Sequence, residues 1–417
     1  MEAMPSTKRR HKFKNNVELL APAGNLEKAK TAILYGANAV YIGGQQFSLR
    51  SRASNFSLED IQELCIFAHG HNAAVHVTVN IIPHPDDLDH LKEYLQALDD
   101  AGVDAIIAAS AAIIQTAKSI NPSFEIHLST QHSTINASAV KFWKKQGVDR
   151  VVLGREANLE QIASICKENI LPIEVFIHGG MCISYSGRCV LSNHMTNRDA
   201  NRGGCAQSCR WKYDVFDGDQ IISDQDIPFS MSSRDLQSVP FLKDLIEAGA
   251  ISFKIEGRMK SAYYLATVVS SYRRLIDEIF TSKEQGKKVD PAFIERIQKE
   301  IAKAENRPTG PGFYAGLPKG NVQLYRKHDE QVTQEYIAQV LEVLEDGWLK
   351  VQVKNRFFKG DSTEIFGPDL LPAESRIEEI ENMEGESLDV CPHPMEIVKI
   401  KMPGAAQVHA MIRKTGD

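Results

Sequence analysis

From residue 18 onward, short apolar runs alternate with stretches of helical periodicity. The runs at 18–21, 39–42, 74–79, 105–108, 125–128, 150–153, 173–177 and 251–255 have the length and composition of buried strands. Between and after them, residues 26–35, 58–69, 85–101, 111–119, 137–146, 159–167, 240–248 and 262–279 read as helices. Eight strand–helix units over roughly 260 residues predict an α/β fold with a parallel sheet, and a closed TIM-type (β/α)8 barrel is preferred to a doubly wound open sheet. No G-x-G-x-x-G follows the first strand, which gives a dinucleotide-binding reading little support.

The periodicity then changes. A polar helix over 291–304 leads into a breaker-rich junction from Asn306 to Gly312. Beyond it, segments 336–344, 348–353, 361–366, 375–380 and 395–400 alternate apolar and polar residues, as in a small β-barrel. The expected organisation is a basic leader over 1–16, a barrel over 17–305 with an insertion at 181–239, a linker over 306–330, and a small β-barrel domain over 331–417. No apolar run approaches the ~18 residues of a membrane span, and no signal peptide is evident. The expectation is therefore a cytoplasmic protein with no membrane partner.

In a TIM-type barrel the working residues lie at the C-terminal strand ends and the loops that follow. Here those positions include Gly43, Asn80, Gln131, Arg155, Glu156, His178, Glu256 and Arg258. Arg258, beside Gly257 and between Lys254 and Lys260, suits recognition of a carboxylate or phosphate. The competing reading is a surface ion pair involving Glu256.

The long connection between the seventh and eighth strands holds four of the seven cysteines, Cys182, Cys189, Cys205 and Cys209, with six, fifteen and three residues between them. In a reducing compartment such a group points to metal binding or chemistry rather than disulfides. Only Cys205 and Cys209 resemble a zinc knuckle, so the spacing favours a 4Fe-4S cluster, with zinc and no metal left open. His178 near Cys182 is a weak thiol-protease signal, and no H-E-x-x-H or G-x-S-x-G occurs. The chain carries a net charge of −6, yet residues 181–212 contain Arg188, Arg198, Arg202, Arg210 and Lys212 against Asp199 alone. That is a basic patch in an acidic protein.

The ordered motifs Glu18-Leu-Leu-Ala-Pro-Ala-Gly24, Tyr41-Ile-Gly-Gly44, Arg50 with Asn55-Phe56, His127-Leu-Ser-Thr-Gln131, His178-Gly-Gly-Met-Cys182, Ser186-Gly-Arg-Cys189, Gly203-Gly-Cys-Ala-Gln-Ser-Cys-Arg210, Met231-Ser-Ser-Arg-Asp235 and Lys254-Ile-Glu-Gly-Arg258 resemble the collagenase-like U32 peptidase family. The resemblance runs from about residue 17 to the C-terminus. It implies a TIM-type barrel, a 4Fe-4S cluster on Cys182, Cys189, Cys205 and Cys209, and prephenate as the source of a hydroxyl oxygen. In the branch with this length and C-terminal extension, it implies that the wobble uridine of tRNA becomes 5-hydroxyuridine. Some relatives take their fourth ligand from a cysteine near 231–233, where this chain has Met231, Ser232 and Ser233. Relatives that work in pairs raise a paralogous subunit as a partner. On this reading His178, Glu256, Arg258 and Arg50 form the catalytic set, with Arg258 and Arg50 on the carboxylates of prephenate. The basic insertion meets the tRNA, whose anticodon loop splays its wobble base into the pocket. Two other classes stay open: a peptidase acting through Cys182 or a metal, and a zinc-stabilised RNA-binding or scaffold protein.

Overall fold

The computed structural model describes residues 13–49, 55–224, 226–318, 320–324 and 335–415. Eight strands, β1 (Glu18–Pro22), β2 (Ala39–Gly43), β3 (Ala74–Val79), β4 (Ala105–Ala108), β5 (Glu125–Leu128), β6 (Arg150–Val152), β7 (Ile173–Gly179) and β8 (Ser252–Ile255), pair in parallel. In β8, Ser252 is registered with Glu18 on one side and Glu174 on the other, so the sheet closes into a barrel. Around it lie α1 (Leu26–Leu34), α2 (Leu58–Gly70), α3 (Leu91–Asp100), α4 (Ala111–Ile120), α5 (Ala137–Lys145), α6 (Leu159–Lys167), α7 (Leu242–Glu247) and α8 (Ala262–Glu284). Side-chain caps start several of them. Asn25, Asn136, Asn158 and Ser261 each accept from the backbone N–H three residues on, and Ser57 with Asp60 forms a reciprocal capping box.

Two details depart from the sequence expectation. The helix expected over 85–101 is broken into a 3-10 turn (Pro85–Leu88) and α3, because His90 takes a left-handed φ of 58° between them. The sequence of 213–216 and 227–231 suits a small hairpin behind the cysteines, but the pairing between them is a single bridge of Tyr213 with Phe229, beside a short hairpin of Phe216–Asp217 with Gln220–Ile221. Residues 8–12 of the basic leader lie outside the described residues.

Side chains alternate along each strand, one set turned to the helices and the other into the barrel. The outward set, including Leu19, Val40, Val77, Ile106 and Phe253, joins the helix faces in one large core. The inward set is partly apolar, with Leu20, Ala39, Tyr41, Ala74 and Ile107 in a cluster against which Phe13 packs. The rest is charged. Arg150 donates to Glu18 at 2.5 Å and to Glu174 at 3.3 Å, Lys254 meets Glu174 at 2.8 Å, and Ser252 donates to both carboxylates. His76 and His127 pack edge to face beside them, with ring centroids 4.6 Å apart. Burial alone would raise the two carboxyls, but the facing cations override it. Arg150 and His76 hold Glu18 at about 2, and Lys254 and Arg150 hold Glu174 at about 2.

The C-terminal residues form a seven-stranded antiparallel sheet with its own core. Its two edge strands, Ala373–Arg376 and Glu379–Glu381, are consecutive in the chain. Ile377 bonds to Gly360 and Asp361 on one side while Glu378 bonds to Lys401 on the other, so the sheet curls back on itself as a small barrel. It docks on the large barrel through Arg413, fully buried between Glu300 and Glu364, each contact 2.8 Å or shorter. Among the described residues, no helix is long and apolar enough to cross a membrane.

The charged floor dictates an acid sensitivity. Glu18 and Glu174 titrate lower in the folded chain than the ordinary 4.5, so their stabilisation is complete above that value and lost as pH falls from about 4.5 toward about 2. Urea denaturation across this window should show falling stability. Arg150→Met, which leaves two buried carboxylates with one cation, should cost roughly 3–5 kcal/mol at neutral pH in the same measurement.

Candidate active site at the barrel mouth

Arg258 follows β8 and folds back over the C-terminal end of the barrel, where it is 5% exposed. Its Nη1 donates to Ser48 Oγ at 3.0 Å and Thr78 Oγ1 at 3.4 Å, and its Nη2 to Asn55 Oδ1 at 3.1 Å. Gly43 makes room for this guanidinium: a Cβ there would lie 2.0 Å from Nη2. Next to it, Asn80 and Gln131 exchange two hydrogen bonds, and Ser129 donates to the Gln131 amide oxygen at 2.8 Å. Tyr94, from α3, buries its hydroxyl under Gly44 without a hydrogen-bond partner. The mouth therefore presents one fixed cation ringed by hydroxyl and amide groups, a surface suited to a small polar anion. Arg50 lies outside the described residues.

The connection from β7 to β8 rises over this mouth as a lid of short turns, and three mouth residues fasten it. Arg155 donates to the Gly180 carbonyl and lies 3.8 Å over the Phe176 ring. Glu156 accepts from the Ser186 backbone N–H at 2.6 Å and from its hydroxyl at 3.1 Å. Glu256 accepts from the Gly180 N–H at 3.3 Å. Further out, Arg202 grips Asp87 through two bonds, and Asn201 bonds to both the N–H and the carbonyl of Cys189. Arg210 reaches the Met181 carbonyl at 2.8 Å and the Ser233 carbonyl at 3.1 Å.

These ties gather the four cysteines. All are free thiols, and each of Cys182 and Cys209 lies within electrostatic reach of the other cysteines of the group. Burial pushes the Cys182 and Cys209 thiols up, while Arg155 beside the first and Arg210 beside the second pull the other way. Among the described residues, no three His, Cys, Asp or Glu side chains are closed around one metal-ion position. Four thiols are a donor set that a zinc ion and an iron–sulfur cluster both take.

His178 stands elsewhere. It ends β7 where the register with β8 shifts between Lys254 and Ile255, and its ring packs against Tyr264 and Tyr272 of α8, in the core. Burial holds its imidazole down at about 3, while burial pushes the Glu305 carboxyl, 3.7 Å away, up to about 7. The contact joins a neutral ring to a carboxyl that titrates near neutrality. His178, expected in the catalytic set, is thus buried among Tyr264, Tyr272 and Glu305. His194 lies on the lid helix Leu191–Thr196 and is exposed. Ser48, Thr78 and Tyr94 were not legible as site residues: the first two read as ordinary loop and strand positions, and Tyr94 sits on the apolar face of a helix.

Comparison with known proteins gives this arrangement a family. The description "Peptidase family U32" matches residues 24–324, and "Peptidase family U32 C-terminal domain" matches 332–413. The chain is 46% identical over 407 residues to the tRNA hydroxylation protein P1 of Bacillus subtilis, covering 95% of this chain and 94% of that one. It is 31% identical to the tRNA hydroxylation protein P of Escherichia coli, covering 93% and 94%. It is also 34% identical to a protein of Porphyromonas gingivalis named collagenase, covering 73% and 75%. With family matches across both the large barrel and the small one, the chain belongs to peptidase family U32.

Proposed function

We propose that this protein is an RNA-modifying enzyme that hydroxylates tRNA, converting a wobble uridine to 5-hydroxyuridine with a prephenate-derived hydroxyl group. The observation that carries the reading is four free thiols within electrostatic reach of one another on a basic lid, above a barrel mouth that holds the buried Arg258. The relatives named as tRNA hydroxylation proteins, matched along nearly the whole chain, supply its direction.

In this reading Cys182, Cys189, Cys205 and Cys209 hold a 4Fe-4S cluster, which when bound supplies redox or Lewis-acid chemistry beside the pocket. The chain's own residues do the rest. Arg258 takes a carboxylate of the donor in the fork geometry that suits it, and Asn55, Asn80 and Gln131 orient its polar groups. The lid, fastened by Arg155, Glu156 and Glu256, excludes water from the mouth. A single-stranded anticodon loop can turn its base out of the stack to reach the pocket. The peptidase reading has less to work with. A thiol protease needs an imidazole facing its cysteine, and His178 faces Tyr264, Tyr272 and Glu305.

Deleting the gene from a host without a paralogue should lower the mass of the wobble nucleoside by one oxygen atom, read by nucleoside mass spectrometry. An unchanged nucleoside profile sinks the proposal. Anaerobically purified protein should be brown, with broad visible absorption that Cys205→Ser and Cys182→Ser abolish while the circular dichroism spectrum is kept. Colourless protein carrying one zinc per chain would favour the scaffold reading instead.

A further inference from the structure

The lid carries a cleft of its own. Arg198, Arg210, Arg307, Gln207, Trp211 and Cys205 with the adjoining Ala206 line a space of about 470 Å³. We propose that this cleft is a subsite for single-stranded RNA, in which Arg198, Arg210 and Arg307 hold a phosphodiester and Trp211 stacks on the adjoining base. The inference rests on RNA being the substrate and adds where, and by which chemistry, the strand is gripped.

Three features point this way. The lining carries three guanidiniums and no carboxylate, and the single carboxylate of Asp235, 3.7 Å from Arg210 and 3.9 Å from Arg307, leaves the group net positive. Arg210 is held rigidly by the Met181 and Ser233 carbonyls, so one cation is preset. Multidentate guanidinium donors match phosphate oxygens. Next, Trp211 stands 43% exposed among these cations, its ring tilted against Tyr213 with centroids 6.4 Å apart. A large aromatic beside arginines is a stacking platform for an unpaired base, because every base offers a π-face.

The third feature is how charge is divided along the lid. Residues 181–212 hold five cations and one acid, whereas 213–229 hold Asp214, Asp217, Asp219, Asp224 and Asp226 and no Lys or Arg. A polyanion is drawn to the first half and repelled from the second, which fixes the side of the lid along which the strand runs. Of the four clustered cysteines, Cys205 alone lines the cleft. The gripped strand would therefore pass directly outside the loop that carries a candidate cluster ligand, leaving the barrel mouth free for the extruded base.

The test is binding of full-length protein to a labelled, unmodified anticodon stem-loop and to a single-stranded oligonucleotide, followed by fluorescence anisotropy across a salt series. The double variant Arg198→Ala/Arg307→Ala should flatten the log–log salt dependence by about one phosphate contact or more. Trp211→Ala should weaken binding on the order of tenfold, with Trp211→Phe recovering most of it. Independently of any variant's folding, RNA should quench wild-type tryptophan fluorescence, and Trp211→Phe should remove that quench. Wild-type affinity and slope in all variants would overturn the subsite. So would equal competition by a free mononucleotide, which would make the cleft a small-anion site. A nucleoside profile unchanged on gene deletion defeats the tRNA reading whatever the cleft binds. A profile that loses its hydroxyl while the variants bind normally defeats the subsite alone.

Discussion

The closed barrel depends on burying opposite charges where β1, β6, β7 and β8 meet. Eight strands enclose just enough space for side chains to fill, and here much of that filling is ionic: Glu18, Arg150, Glu174 and Lys254, with Ser252 bonding both carboxylates. Removing one member would strand the others in a medium of low dielectric, so the set is kept or lost together. This matters most for β8, which the whole lid separates in sequence from its neighbour β7. Ser252 and Lys254 bring the late strand into a gap whose two walls, Glu18 and Glu174, are already acidic. The ionic floor therefore selects the register that closes the barrel.

Closing the barrel there also determines what the mouth can do. β7 and β8 end side by side, so the lid leaves and returns at the same edge. A Cβ at Gly179, whose φ is 100°, would sit 2.3 Å from the Glu256 carbonyl oxygen, so the chain turns off the strand in a space that only glycine fits. The mouth residues then divide their labour. Arg155, Glu156 and Glu256 are used on lid backbone and side chain, and Arg258 is turned down into the pocket. One ring of loop residues thereby serves two jobs, holding the lid in place and presenting a cation beneath it.

Much of this was legible in the sequence, and the failures have physical causes. Strands buried on both sides leave apolar runs that stand out, and the cysteines and loop charges were visible as a cluster. Closure was rightly preferred from the count of eight strand–helix units, but the strand patterns carry no record of which strands pair, and the Ser252 register shows it directly. The central strand Met411–Lys414 escaped notice because Arg413 breaks its apolar pattern. Its charge is buried only because Glu300 and Glu364 arrive from distant segments. His178 lies at a strand end, where barrel residues usually work, and its burial against Tyr264 and Tyr272 was not visible in the sequence, because the register shift beside it leaves no mark there. Tyr94 was hidden by its place on the apolar face of α3, since periodicity cannot tell an ordinary core tyrosine from one whose hydroxyl is buried without a partner under Gly44.

The same strand end bears on what the family name can mean for this chain. His178 and Cys182 are four residues apart, close enough in sequence to read as a nucleophile and its base. In space they part: the histidine goes to Tyr264, Tyr272 and Glu305, and the cysteine to the other three thiols. A thiol placed among thiols is harder to ionise, because each thiolate disfavours the next. That is the reverse of what a catalytic nucleophile requires. A bound cation shared by all four turns this repulsion into attraction, since thiolate ligands neutralise it and one another's charge is screened by it. Four thiols within electrostatic reach of one another are thus poor independent nucleophiles, and they are a donor set that one shared cationic guest would take.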